Sequence, residues 1–178
     1  MALNLGRLFA GWLGRLLGRA PSSTHHVRKQ VRDAFAAKIT GLSTTGSRVF
    51  TSRIDNLAAS DLPCIRLYTV VEEIQHDDVL AVPYMQHRTV GLRVEVLAKQ
   101  ASGMVDTLNQ ICLEVEEAIE AEPTLGGLSP LHASYRHVDE QYSGGLSSGN
   151  AGDQPAGMAT MDWQFVVLTM NDAPNVAL

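Results

Sequence analysis

Little in this sequence is of a kind that performs covalent chemistry. Its 178 residues include two cysteines, Cys64 and Cys112. Two thiols cannot build a disulfide framework, and without a C-x-x-C pair they point to a reducing compartment. No run of about 18 or more uncharged apolar residues occurs, so no transmembrane helix is expected. The patterns G-x-S-x-G, G-x-x-x-x-G-K-[ST] and H-E-x-x-H are all missing. With them go the usual signatures of an activated serine, a phosphate-cradling loop and a zinc-binding helix.

Glycine (15) and proline (7) are present in ordinary numbers, which excludes collagen-like and low-complexity chains. Apolar residues make up 45% and charged residues 19% of the chain. A 19.3 kDa chain of that composition builds one ordinary domain with a core.

The charge is unevenly placed. The net value is −5, yet residues 1–53 carry nine Arg/Lys against one acid, Asp33. Residues 54–178 carry five basic and eighteen acidic side chains. A positive head on a negative body fits a tail seeking an anionic partner, or self-association between unlike surfaces. Solvated faces alone would also produce it.

Residues 3–17 place Leu5, Leu8, Phe9, Trp12, Leu13, Leu16 and Leu17 on one helical stripe, with Arg7 and Arg15 opposite. Gly6, Gly11, Gly14 and Gly18 each weaken such a helix by about 1 kcal/mol relative to Ala, so it needs a docking surface. The arginines are spread through the segment and no A-x-A site follows, so a signal peptide is not expected. Residues 1–20 are read as an amphipathic docking helix and 21–23 as a hinge. The partner-binding residues expected there are Leu5, Leu8, Phe9, Trp12, Leu13 and Leu16.

A second helix is expected over 24–40, N-capped by Ser23 or Thr24, with Val27, Val31, Ala34, Phe35 and Ile39 inward and Gly41 at its end. A short extended piece follows at Arg48–Arg53. Strands are expected over Cys64–Gln75, Thr89–Ala98, Leu131–Tyr142 and Ala159–Met170. Ile65, Leu67 and Val71 are assigned one face of the first. Val90, Leu92, Val94, Val96 and Ala98 share a face of the second, and Met161, Trp163, Phe165 and Val167 a face of the last. Val79–His87 reads as a long hairpin connection and the Gly/Ser-rich Ser143–Gly157 as a mobile loop.

The strongest helix pattern is 104–121. Val105, Leu108, Ile111, Cys112, Val115 and Ile119 form its stripe, and Asp106, Glu114, Glu116, Glu117 and Glu120 its outside. The expected fold class is α+β: a mostly antiparallel sheet of four to five strands, with two main helices on one face and the amphipathic N-terminal helix added. Residues 24–170 form the single domain, and 171–178 are expected to be a frayed tail.

The chemistry-bearing residues do not converge. His25 and His26 are adjacent and would point ~100° apart on a helix. His132 and His137 fall on opposite faces of a strand, so no metal site is expected. His76-Asp77-Asp78 reads as a solvated turn. Glu114, Glu116, Glu117 and Glu120 make a helix surface suited to a basic partner. Cys64 and Cys112 read as small buried apolar side chains. No catalytic residue, cofactor or metal is expected, and the chain is not read as an enzyme.

One pattern is more specific. Val31-Arg32-Asp33-Ala34-Phe35 leads to Thr45-Gly46-Ser47-Arg48-Val49-Phe50, then Arg53, Leu62-Pro63-Cys64-Ile65-Arg66-Leu67 and Glu72-Glu73. A strand beginning at Arg88 precedes Asp106-Thr107-Leu108-Asn109 and an acidic helix ending Val115-Glu116-Glu117-Ala118-Ile119. Over residues 27–170 this resembles the tail terminator (minor tail protein U-like, tail-completion) proteins of long-tailed bacteriophages. The resemblance implies a structural virion protein at the head-proximal end of the tail, assembled in the host cytoplasm. It implies a homo-oligomer, a hexameric ring that caps the tail tube, ends its polymerisation and meets the head–tail connector or neck protein. It further implies that DNA passes through the lumen without sequence-specific binding. The first 20 residues depart from that family, whose members start near the first core helix. Two other readings stand beside it: another neck or tail-completion protein, and a peripheral membrane-binding protein acting through residues 1–20.

Overall fold

The computed structural model describes residues 24–51, 53, 57–76, 82–100, 102–131, 134–143 and 156–178. The expected docking helix 1–20, with Leu5, Leu8, Phe9, Trp12, Leu13 and Leu16, and the hinge 21–23 lie outside these residues, as does most of the Ser143–Gly157 connection.

Among the described residues two α-helices and five strands follow one another, with a 3-10 turn Ala59–Asp61 between the first two strands: α1 (Val27–Ile39), β1 (Val49–Thr51), β2 (Cys64–His76), β3 (Met85–Lys99), α2 (Met104–Glu120), β4 (Ser134–Ser143) and β5 (Ala156–Met170). The strands form one sheet in the order β1-β2-β3-β5-β4. All neighbours are antiparallel except β1 and β2, which run parallel. The expected α+β class, with both helices on one face of the sheet, is the architecture found.

The core follows from alternation on the strands and 3.6-residue spacing on the helices. Val90, Leu92, Val94, Val96 and Ala98 of β3 and Ala159, Met161, Trp163, Phe165 and Val167 of β5 are buried on the helix-bearing face. Val27, Val31, Phe35 and Ile39 of α1 cover one half of it, and Leu108, Ile111, Cys112, Val115 and Ile119 of α2 the other. Phe35 stands edge-on to both Trp163 and Phe165, each with centroids 5.8 Å away, and ties the helix layer to the middle of the sheet.

Several sequence expectations need correction. The N-cap of α1 is His26, whose Nδ1 accepts the Arg28 N–H at 3.3 Å, rather than Ser23 or Thr24. Strand β3 begins at Met85, because Gln75 pairs with His87 and His76 with Gln86; the hairpin arm is longer than periodicity alone showed. A β-bulge between Thr69 and Val71 inserts one residue into β2 and reverses which residues face the helices. Ile65 and Leu67 therefore stay buried, while Val71 turns to the other face and is exposed. On that face it lies over Gly91, where an added β-carbon would come within 2.4 Å of Val71 Cγ1. Val105 is also exposed, off the core stripe assigned to it.

The tail is not frayed. Pro174 C=O accepts the Val27 N–H at 3.3 Å, Asn175 C=O accepts Gln30 Nε2 at 2.8 Å, and the Leu178 N–H donates to Leu168 C=O at 2.9 Å. Ala177 is buried in the core. The tail residues gave no periodic signal, yet the Pro174 carbonyl supplies an acceptor for Val27 in the first turn of α1, where N–H groups lack intrahelical acceptors.

The sheet face away from the helices is laced by ion pairs. Arg93 grips Asp162 with two bonds of 2.9 and 3.0 Å, and Arg66 NH2 lies 2.7 Å from Glu95 Oε2. The bond to Asp162 holds the Arg93 guanidinium above its ordinary value.

Candidate interaction surface

The bulge in β2 has a second effect: it swings Glu72 onto the helix-bearing face, in line with Gln86, Arg88 and Thr169. These four continue the apolar rows of β2, β3 and β5 as a polar strip. Arg88 is only 6% exposed, and a charge so buried requires partners on every donor it presents. Its NH1 donates to Glu72 Oε1 at 2.7 Å, NH2 to Gln86 Oε1 at 2.7 Å and Nε to Thr169 Oγ1 at 2.9 Å. The strip rigidifies the base of the arm and holds the Glu72 carboxylate in place.

Above that carboxylate opens a cleft of about 420 Å³ between α1 and β2, lined by His26, Arg28, Lys29, Arg32, Tyr68, Thr69 and Glu72. Helical spacing puts Arg28, Lys29 and Arg32 on the outward side of α1, because Val27 and Val31 take the inward side. Arg28 Nε lies 3.7 Å and His26 Nε2 4.0 Å from Glu72. Lys29 and Arg32 both contact Asp33. Partial burial raises the Asp33 carboxyl, but hydrogen bonds from Lys29 and Arg32 outweigh this and hold it below the ordinary aspartate value. The cleft keeps a positive rim with the Glu72 carboxylate set into it. Farther along β2 on the same face Ile74 is exposed, while Val70 lies with Val71 over Gly91 on the other face; β1 pairs only with residues 65–67, so this stretch of β2 forms the sheet edge.

The opposite side of the domain has the other sign. Helix α2 contains no Lys or Arg. Its Glu114 faces α1, and the wheel places Val105, Asn109, Leu113, Glu116, Glu117 and Glu120 on the far flank, within about 120° of one another. That flank lies toward the β5–β4 edge, since α1 occupies the β1–β2 side. Val105 (45%) and Leu113 (48%) are exposed on it, next to the acids.

Glu114 itself departs from the expected acidic outer surface. It is 7% exposed and accepts from Ser43 Oγ (2.5 Å), Thr44 Oγ1 (2.7 Å), the Thr44 N–H (3.1 Å) and Gln110 Nε2 (3.2 Å). The donors sit in a tight loop after α1. Gly41 (φ 95°) and Gly46 (φ 57°) adopt left-handed backbone, and Leu42 bridges Gly46, which turns Ser43 and Thr44 toward α2. Burial raises the Glu114 carboxyl, and the hydrogen bonds outweigh it and hold it below the usual value.

No family model and no curated protein matches the chain. Its functional reading therefore rests on the residues themselves. Of the residues that carry the resemblance to tail terminator proteins, the Thr45–Phe50 and Leu62–Leu67 stretches meet at one joint. There Arg48 Nε donates to Pro63 C=O at 2.7 Å, the Ile65 N–H to Arg48 C=O at 3.0 Å, and Arg53 pairs with Asp61 at 3.2 Å. Tyr68 Oη donates to Arg53 C=O at 2.8 Å, closing the same joint. Cys64 lies in it, buried, and that burial pushes its thiol up to about 11, far from the thiolate a nucleophile needs. Cys112 is also buried. Among the described residues no helix is long and apolar enough to cross a membrane.

Sequence reasoning missed the cleft because its making depends on a one-residue bulge, which leaves no periodic mark. The pairing of Glu114 with the 43–44 loop did have a signal. Glu114 lies next to Val115 and three residues after Ile111, so it borders the core stripe where a carboxylate needs donors.

Proposed function

We propose that the chain is a structural protein of a long-tailed bacteriophage virion, a tail terminator. In this reading copies close into a six-membered ring at the head-proximal end of the tail. The ring caps the tail tube, ends its growth and offers a surface to the head–neck connector. The class comes from the resemblance spread over residues 27–170. The observation that supports it best is the opposite charge of the two sides of the domain: basic α1 over the β1–β2 edge, acidic α2 toward the β5–β4 edge. A ring of identical subunits needs a heterologous interface, in which one surface meets a different surface of its neighbour. Unlike charges on the two sides favour that arrangement and oppose contact between like sides.

The test is tube assembly with the tail-tube protein of the same phage. Adding the purified chain should stop elongation and leave a density cap at one end of each tube in electron micrographs. Tubes that lengthen unchecked, with bare ends at saturating chain, would refute the reading.

A further inference from the structure

We propose that the cleft between α1 and β2 receives the outer flank of α2 from a second copy of this chain. Glu116 and Glu117 of the incoming helix would lie against Arg28 and Lys29, and its Val105 and Leu113 against Ile74. The inference deepens the ring reading and rests on it for the direction of contact, while naming the surfaces that form the joint.

Three observations carry it. The cleft is a concave, positively rimmed groove, the shape that accepts a convex helix. Both sides combine charge with exposed apolar side chains: Ile74 farther along β2 on the groove side, Val105 and Leu113 on the helix flank. Finally, the two surfaces lie over opposite edges of one sheet, so each copy offers a groove to one neighbour and a helix to the next. Self-contact between grooves would set Arg28 and Lys29 against their own kind, and contact between flanks would set glutamates together.

Glu72 defines the kind of partner. A carboxylate inside the rim disfavours a dense polyanion such as a nucleic-acid backbone. A helix bringing a few carboxylates, with apolar side chains between them, suits the groove better.

The experiment uses the full chain in sedimentation velocity over a range of concentrations. Two variants are prepared. The groove variant carries Arg28→Glu and Lys29→Glu, and the flank variant carries Glu116→Lys and Glu117→Lys. Acids in the first turn of a helix suit its dipole, so the groove variant should fold. A neutral pair, Arg28→Gln and Lys29→Gln, provides a milder form, and circular dichroism checks all three. Each reversal alone should raise the concentration needed for association by at least about tenfold, the effect of one lost close charge pair. Mixing the two variants should restore it, because every joint then pairs unlike charges.

Wild-type association untouched by either reversal, or lost in both and not restored by mixing, would overturn the joint. So would a groove variant that self-associates normally yet no longer caps tubes, since the groove would then belong to the tube protein. In that last case capping by the wild type still supports the ring reading. Failure of wild-type capping tells against the ring reading itself, whatever the variants do in sedimentation.

Discussion

Replacing Glu114 tests how the loop after α1 is tied to α2. In Glu114→Ala the four accepted bonds disappear together. Hydrogen bonds to a charged group contribute about 1.5–3 kcal/mol each. The Ser43 and Thr44 hydroxyls are only part-buried and regain water, so the sum is far below four times that. The Thr44 N–H and the space left by the side chain remain, and the expected loss is about 2–4 kcal/mol. For a domain of this size that lowers the melting temperature by roughly 4–16 °C. Glu114→Gln keeps one acceptor oxygen and should lose about half as much.

The pH dependence separates this account from simple loss of packing. The Glu114 carboxyl is held below the ordinary glutamate value of 4.5. Its contribution is thus complete above that value and fades as pH falls through the lowered one. Urea denaturation at neutral pH should show the full gap between wild type and Glu114→Gln. The gap should close progressively below about pH 4.5. A gap that stays constant into strong acid, or no gap at neutral pH, would refute the reasoning.

Three further outcomes follow from the packing. Gly91→Ala should destabilise by about 1–3 kcal/mol, since its β-carbon meets Val71 Cγ1, and Val71→Ala in the same chain should recover most of the loss in thermal melts. Removal of residues 174–178 should lower stability and speed amide exchange at Val27, because Pro174 accepts its N–H, Asn175 holds the Gln30 side chain and Ala177 fills part of the core; unchanged exchange at Val27 would contradict the docked tail. Cys64 and Cys112 should resist iodoacetamide at pH 8 in the native protein and react after denaturation, given their burial and the Cys64 thiol pushed up to about 11; rapid native labelling of Cys64 would contradict that burial.

Much of the fold was legible from period alone. The two-residue alternation of Val90–Ala98 and Met161–Val167 placed each of those side chains on the buried face. The spacing of Val27, Val31, Phe35 and Ile39 gave α1 its inward face. What could not be read was set by non-periodic features. The bulge at Thr69–Val71 reverses a strand face, and only the pairing with β3 reveals it. The tail packs through backbone groups, which every residue possesses, so composition could not distinguish docking from fraying. Glu114 looked like one acid among several until the Gly41–Gly46 loop brought Ser43 and Thr44 to it. The charge difference between the two ends of the sequence was visible at once. Its arrangement over opposite edges of one sheet required the strand order.

The claim that unites the account is that this chain works by closing on copies of itself. Native mass spectrometry of the full chain, alone and with tail tubes added, tests it most directly. The account predicts a discrete closed species of six 19.3 kDa chains, about 116 kDa. A chain that stays at 19.3 kDa at every concentration, and also on the tubes, would contradict it.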